Sequence, residues 1–337
     1  MNHVKGLDTL RVFAVLFVIL DHWGINDSIP FLAFLKNYIV PGGQAGVDLF
    51  FVLSGFLITG ILLAAKNADN PQPNLTIIKN FMIRRVLRIF PIYYLLIFLL
   101  LAINYHGIRA HAWYYLTYTT NILFFRQGAW GVMPHTWSLC VEEQFYLLWP
   151  WLILFTNKKY LSYLFVAAIT TGIISSYITS DIMNRPCQPV LVFDCIGCLA
   201  LGGFYAYART ETIRCQRFEK VLFPIFIVCL IINIHWIIFP GDGFWHKTTT
   251  QFRMVHGVIA LQIIIAIFNN RSKRLRRYLL ENSTLNFIGK ISYGIYLYHY
   301  LLNPLPDLVR ALLLLPICIL SYKFIEQPLL NLKNKFR

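Results

Sequence analysis

Ten apolar runs, each long enough to cross a lipid bilayer, constrain this chain more than any other feature. They fall near residues 7–24, 46–65, 81–103, 136–156, 161–180, 189–208, 221–239, 253–269, 287–303 and 308–325. Ten spans put both termini on one side of the membrane. Composition agrees: 57% of the 337 residues are hydrophobic and 13% are charged, against about 25% charged in a soluble domain. Mean hydropathy is +0.58. The chain therefore reads as a multi-pass integral membrane protein forming one domain over residues 1–337, with no internal repeat, low-complexity tract or soluble domain. Within residues 104–134, HAWYYLTYTTNILFF is apolar and aromatic but short and interrupted by polar residues. It is expected at the outer face, interfacial or re-entrant.

The formal charge of +15 would suggest nucleic acid in a soluble protein. Here its placement argues for membrane lipids and topology instead. On the side of the termini lie Lys5, Lys66, Lys79, Arg84, Arg85, Arg88, Lys158, Lys159, Arg209, Arg214, Arg217 and Lys220. Arg271, Lys273, Arg274, Arg276, Arg277, Lys290, Lys323, Lys333, Lys335 and Arg337 follow on the same side. The other side holds Lys36, Arg109, Arg126, Arg185 and Lys247. A bias of about fourfold places both termini in the cytoplasm by the positive-inside rule. The first run lacks a small-residue cleavage site, so no cleavable signal peptide is expected. Cys195 and Cys198 form a CxxC without a second pair or a His cluster. No metal site follows from them, and buried thiols packing as small hydrophobes is the plain reading.

The first run, Gly6 to His22, carries Asp8, Arg11 and His22. On a helix Arg11 and His22 share one face roughly 16 Å apart, and Asp8 lies one turn before Arg11, placed to pair with it. Ionisable groups within a span usually face a bundle interior or a wet cavity. The expectation is a polar track with the His22 imidazole as the chemical group; the plainer alternative is a headgroup anchor at one end and a helix end at the other.

Other runs carry polar groups too. GVDLFFVLSGFLIT places Asp48 at the outer end of the second span and Ser54-Gly55 at its middle, readable as a helix-start carboxylate and a packing notch. In RRVLRIFPIYY, Arg85 and Arg88 sit on adjacent turns of one face. They either bind anionic headgroups or form a forked seat for phosphates of a cytosolic ligand. In HTWSLCVEEQFYLLWP, His135, Ser138 and Glu142 share one stripe able to do acid–base or orienting work, with Glu143 expected off it. Trp137 and Trp149 read as interface aromatics. Tyr298 and His299 lie toward the outer end of the ninth span, where a lone His is ordinarily a satisfied interfacial residue. Glu326, before Pro328, is expected to pair with a nearby Arg or Lys.

Taken together, GLDTLR with His22 eleven residues beyond Arg11, GVDLFFVLSGFLIT, RRVLRIFPIYY, HTWSLCVEEQFYLLWP, GKISYGIYLYH and FIEQP resemble, in order and over essentially the whole chain, the membrane-bound acyltransferase family 3. The resemblance implies an all-α bundle of about ten transmembrane helices. It also implies acyl transfer, commonly of acetyl from cytosolic acetyl-CoA, to a hydroxyl of a sugar or other surface molecule. It assigns Arg11 and His22 as essential, Arg85 and Arg88 to the arginine motif, and Glu142 to the WSL motif; Arg85 and Arg88 are then expected to hold the phosphates of the CoA donor. Asp21 departs from the apolar or aromatic residue more usual before that histidine. Some members carry a C-terminal SGNH hydrolase-like domain; none is evident here, so transfer is expected to finish within the bundle. The expected protein is a bacterial inner-membrane O-acyltransferase acting on a lipid-linked or surface saccharide such as an O-antigen or exopolysaccharide, with Glu142 orienting the acceptor and no metal. A transporter or flippase would also explain charges within spans, but the internal repeat it calls for is not seen.

The topology is tested by reporter fusions. Those at Asn67, Lys158 and Arg214 should read cytoplasmic, and those at Asn26, Arg185 and Lys247 external. One clean inversion contradicts the ten-span arrangement.

Overall fold

A computed structural model describes residues 6–23, 42–183, 189–239, 252–269, 272, 274 and 276–332, and every regular element among them is helical. In chain order these are α1 (Leu7–His22), α2 (Gly42–Lys66), α3 (Asn74–Ala102), α4 (Ala112–Leu116), α5 (Thr120–Gln127), α6 (Thr136–Phe155) and α7 (Leu161–Tyr177). Then come α8 (Val192–Ala208), α9 (Thr212–Ile238), α10 (Phe252–Asn269), α11 (Ser283–Tyr298), α12 (Asp307–Ser321) and α13 (Gln327–Leu332). Each of the ten apolar runs lies on a helix. Five stretches, Gly42–Lys66, Asn74–Ala102, Lys158–Ser180, Thr212–Trp236 and Asp307–Leu332, are long and apolar enough to cross a membrane. The chain is thus a helical membrane protein. The segment after α3 forms a short 3₁₀ stretch, Tyr105–His111, then α4 and α5, none long enough to span. The Tyr93 and Tyr94 hydroxyls tie it to α3 by donating to the carbonyls of Tyr115 and Leu116, both at 2.8 Å.

α2 is the central helix: 67% of its apolar window is buried, against 17% for the window on α9. Lipid tails are as apolar as Leu, so close helix approach rests on small residues that let backbones meet. A Cβ on Gly55 would lie 1.8 Å from the Leu199 carbonyl oxygen of α8, and one on Gly202 of α8 would lie 2.0 Å from that of Val52. α1 is clasped likewise: a Cβ on Gly46 would meet the Ala14 oxygen at 2.4 Å, and one on Gly289 of α11 the Asp8 oxygen at 2.2 Å. Gly6, at φ 102° before α1, takes a backbone conformation open to glycine but strained for other residues.

Two expectations need correction here. Trp149 is not an interface aromatic: it is fully buried and donates Nε1–H to Thr59 Oγ1 at 2.8 Å. Trp137 is also buried, its ring against Phe51 and under the Arg253 guanidinium at 5.2 Å. The apolar run that forms α6 fits burial or interface equally, and neighbouring helices decide. Asp48 is more than a helix-start carboxylate. It is fully buried, accepts from Arg253 Nη1 at 2.7 Å and lies 3.4 Å from His256 Nδ1, cross-linking α2 to α10.

Gly55→Ala should lower stability in detergent by roughly 1–3 kcal/mol, because the new methyl meets backbone that cannot yield. Thermal unfolding checks this; an unchanged melting temperature contradicts the close α2–α8 crossing.

Candidate functional site

At the end of the bundle where α1, α3 and α11 begin and α2 finishes lies a cavity of about 590 Å³. Its walls carry the cations Arg11, Arg84, Arg85, Arg88 and Lys290 and the anions Asp8, Glu142, Glu143 and Glu326. The volume suits a small-molecule ligand. Arg11 is committed to Asp8 one turn earlier. Glu142 is held by hydroxyls rather than by a cation. Ser54 Oγ donates to its Oε1 at 2.6 Å and Tyr146 Oη to its Oε2 at 3.1 Å. Arg85 lies between aromatic faces, with Phe81 and Tyr146 each 5.3 Å from its guanidinium carbon. Among the described residues neither Arg85 nor Arg88 makes an ion pair, while Arg11, Arg253 and Arg310 each pair with an aspartate. Two guanidinium forks that face the cavity with no carboxylate in ion-pair contact could receive an anion that arrives with a ligand.

At the cavity's inner limit Tyr296 Oη meets Ser138 Oγ at 2.5 Å and donates to the His135 carbonyl at 3.1 Å. Beyond Tyr296, at the opposite ends of α1 and α11, lie three imidazoles. His22 Nδ1 is 2.7 Å from His299 Nε2, and His299 Nδ1 is 2.7 Å from the Tyr296 carbonyl. The His135 ring is centred 5.0 Å from that of His299. Trp23 donates to the His299 carbonyl at 3.1 Å, and Arg310 donates to the Trp23 carbonyl at 2.7 Å, so the end of α1 is pinned where His22 leaves it.

The predicted residues divide accordingly. Asp8, Arg11, Ser54, Arg85, Arg88, Ser138, Glu142 and Glu326 line the cavity. His22, His135 and His299 gather at the other end. Asp48, Trp137 and Tyr298 lie in neither group; Tyr298 shares a hydrogen bond with Ser321 at 2.9 Å. The track expected along α1 is polar at its ends only, since Val15 and Val18, which continue the stripe from Arg11 to His22, are buried apolar. His299 is not a lone interfacial histidine but a fully buried partner of His22. Glu143, expected off the functional stripe, also lines the cavity, which wraps round α6 widely enough to reach two adjacent side chains. Glu326 makes no ion pair among the described residues; a π-helical turn, Tyr322–Glu326, turns it into the cavity instead. Sequence reasoning missed Tyr146 and Tyr296. Tyr146 follows Glu142 by one helical turn and could have been found by that spacing; the pairing of Tyr296 with Ser138 crosses 158 residues and carries no local signal.

Residues 4–324 match the model of the acyltransferase domain. The chain is similar to peptidoglycan O-acetyltransferase OatA of Listeria monocytogenes, 28% identical over 371 aligned residues that cover 97% of this chain and 56% of that protein. It is also similar to O-acetyltransferase OatA of Staphylococcus aureus, at 27% identity over 97% of this chain and 57% of that protein. The chain therefore spans about half the length of these curated relatives. No solved structure matches it. With the match running over nearly the whole chain, this protein belongs to the acyltransferase domain family.

Proposed function

We propose that this chain is a membrane O-acetyltransferase that moves acetyl from cytosolic acetyl-CoA to a hydroxyl of a surface or lipid-linked saccharide. The observation that carries the reading is the pair Arg85 and Arg88, which face the cavity without carboxylate partners among the described residues. Phosphates of the donor supply the missing anions. The excess of basic residues on the side of the termini supports a cytoplasmic mouth for the cavity, in the inner membrane of a bacterium. The relatives' names point to peptidoglycan as the first acceptor to try, ahead of an O-antigen or exopolysaccharide.

In this reading the donor's acyl end extends past Arg11 toward Ser138 and Tyr296. His22 acts as general base. Its ring takes the proton of the acceptor hydroxyl as the oxygen's electron pair attacks the thioester carbonyl carbon. The carbon–sulfur bond breaks with its pair on sulfur, and the ring returns the proton to the thiolate to give the thiol. Glu142 stands among the donor-side groups, so its part is to order Ser54 and Tyr146 in the cavity wall rather than to orient the acceptor.

Purified protein with labelled acetyl-CoA and peptidoglycan fragments or lipid-linked glycan tests this. Arg85→Lys and Arg88→Lys each lose the planar fork and should weaken donor binding by roughly 1.5–3 kcal/mol. His22→Ala should bind acetyl-CoA normally and lose roughly 10²–10⁴-fold in rate. Lys variants with unchanged donor kinetics, or His22→Ala with near wild-type turnover, overturn the reading. Labelled acetyl recovered on His22 without acceptor would make it a covalent carrier rather than a base.

A further inference from the structure

The imidazole pair across α1 and α11 carries more than a contact. His299 is fully buried, and both its ring nitrogens are engaged at 2.7 Å. The two rings lie 6° from parallel. On one side the partner is the Tyr296 carbonyl, which can only accept, so His299 Nδ1 carries a hydrogen. A second proton would make a buried imidazolium; among the described residues no carboxylate pairs with His299, and such a charge is costly in a membrane bundle. Nε2 of His299 therefore keeps its lone pair and accepts from Nδ1–H of His22. That leaves the lone pair of neutral His22 on Nε2, the nitrogen turned away from His299.

We infer that His299 is the positioning residue that fixes the tautomer and orientation of His22, making Nε2 the nitrogen that handles the acceptor's proton. The inference rests on His22 as the base. When Nε2 takes that proton, the ring becomes an imidazolium whose Nδ1–H bond to His299 is charge-assisted, and the bond relaxes when the proton passes to the thiolate. A carboxylate plays this orienting part in hydrolase triads. Here a neutral ring anchored on a backbone carbonyl does so.

The test compares His299→Leu with His299→Gln, whose side-chain oxygen can still accept near the position of Nε2. The donor seat lies at the other end of the bundle, so KM for acetyl-CoA should stay unchanged in both. In His299→Leu, kcat should fall roughly 10²–10⁴-fold, the contribution of a positioned base. Glutamine should restore most of it. The double variant His22→Ala, His299→Leu should be no slower than His22→Ala alone, because His299 acts through His22. Should His299→Leu fail to fold, His22 carrying a methyl on Nδ1 removes the same hydrogen bond with His299 intact, and should show the same loss of kcat. An inactive His22→Ala enzyme beside an active His299→Leu or Nδ1-methyl enzyme overturns this inference alone, as does equal loss in the Leu and Gln variants. Near wild-type turnover in His22→Ala removes the base reading and this inference with it.

Discussion

A cation held inside a membrane bundle needs a fixed counter-charge or a ligand that brings one. The described arginines with aspartate partners make the contrast plain. Arg11 has Asp8, Arg253 has Asp48 and Arg310 has Asp307. Arg85 and Arg88 have no such partner, although four carboxylates line the same cavity. Glu142, the obvious candidate, is engaged by the hydroxyls of Ser54 and Tyr146. Neutral donors thus satisfy the carboxylate, and the guanidinium forks make no ion pair among the described residues. The rest of the site follows from that separation of charge from charge.

The bundle divides the work between its two ends. Cationic groups gather where α1, α3 and α11 begin, and the imidazoles gather where α1 and α11 finish. Between them the α1 stripe is apolar at Val15 and Val18, with Tyr296 and Ser138 closing the cavity. In the proposed reaction an apolar stretch of this kind would help keep water from the thioester. In that reaction it is the donor's acyl end, not a chain of protein charges, that crosses the gap. Tight crossings at Gly46, Gly55, Gly202 and Gly289 hold the helices that frame this path.

Much of this was legible in the sequence, and the misses share a cause. Apolar runs located the helices because the bilayer sets their length. The Asp8–Arg11 pair and the Arg85–Arg88 fork were readable because both are local, set by helical spacing. The partner of His22 was not, since His299 lies 277 residues away and periodicity says which face a residue occupies, not what meets it. Trp149 went wrong for the same reason: its run fits lipid or protein equally, and the packing of α6 against its neighbours settles it. Glu326 and Glu143 depended on a π-helical turn and on the width of a cavity, neither of which leaves a mark in hydrophobic pattern. The resemblance to acyltransferases named candidate residues, but their division into a cation-lined cavity and a histidine end came from the folded chain.

The central claim is that one ligand joins these two ends. Determining the structure with a non-hydrolysable acetyl-CoA analogue, in which carbon replaces the thioester sulfur, tests it most directly. Phosphate density is expected on the guanidinium groups of Arg85 and Arg88, with the acyl end against Tyr296 and Ser138 on the side facing His22. Phosphates seated away from both arginines, or an acyl end turned away from Tyr296, would contradict it.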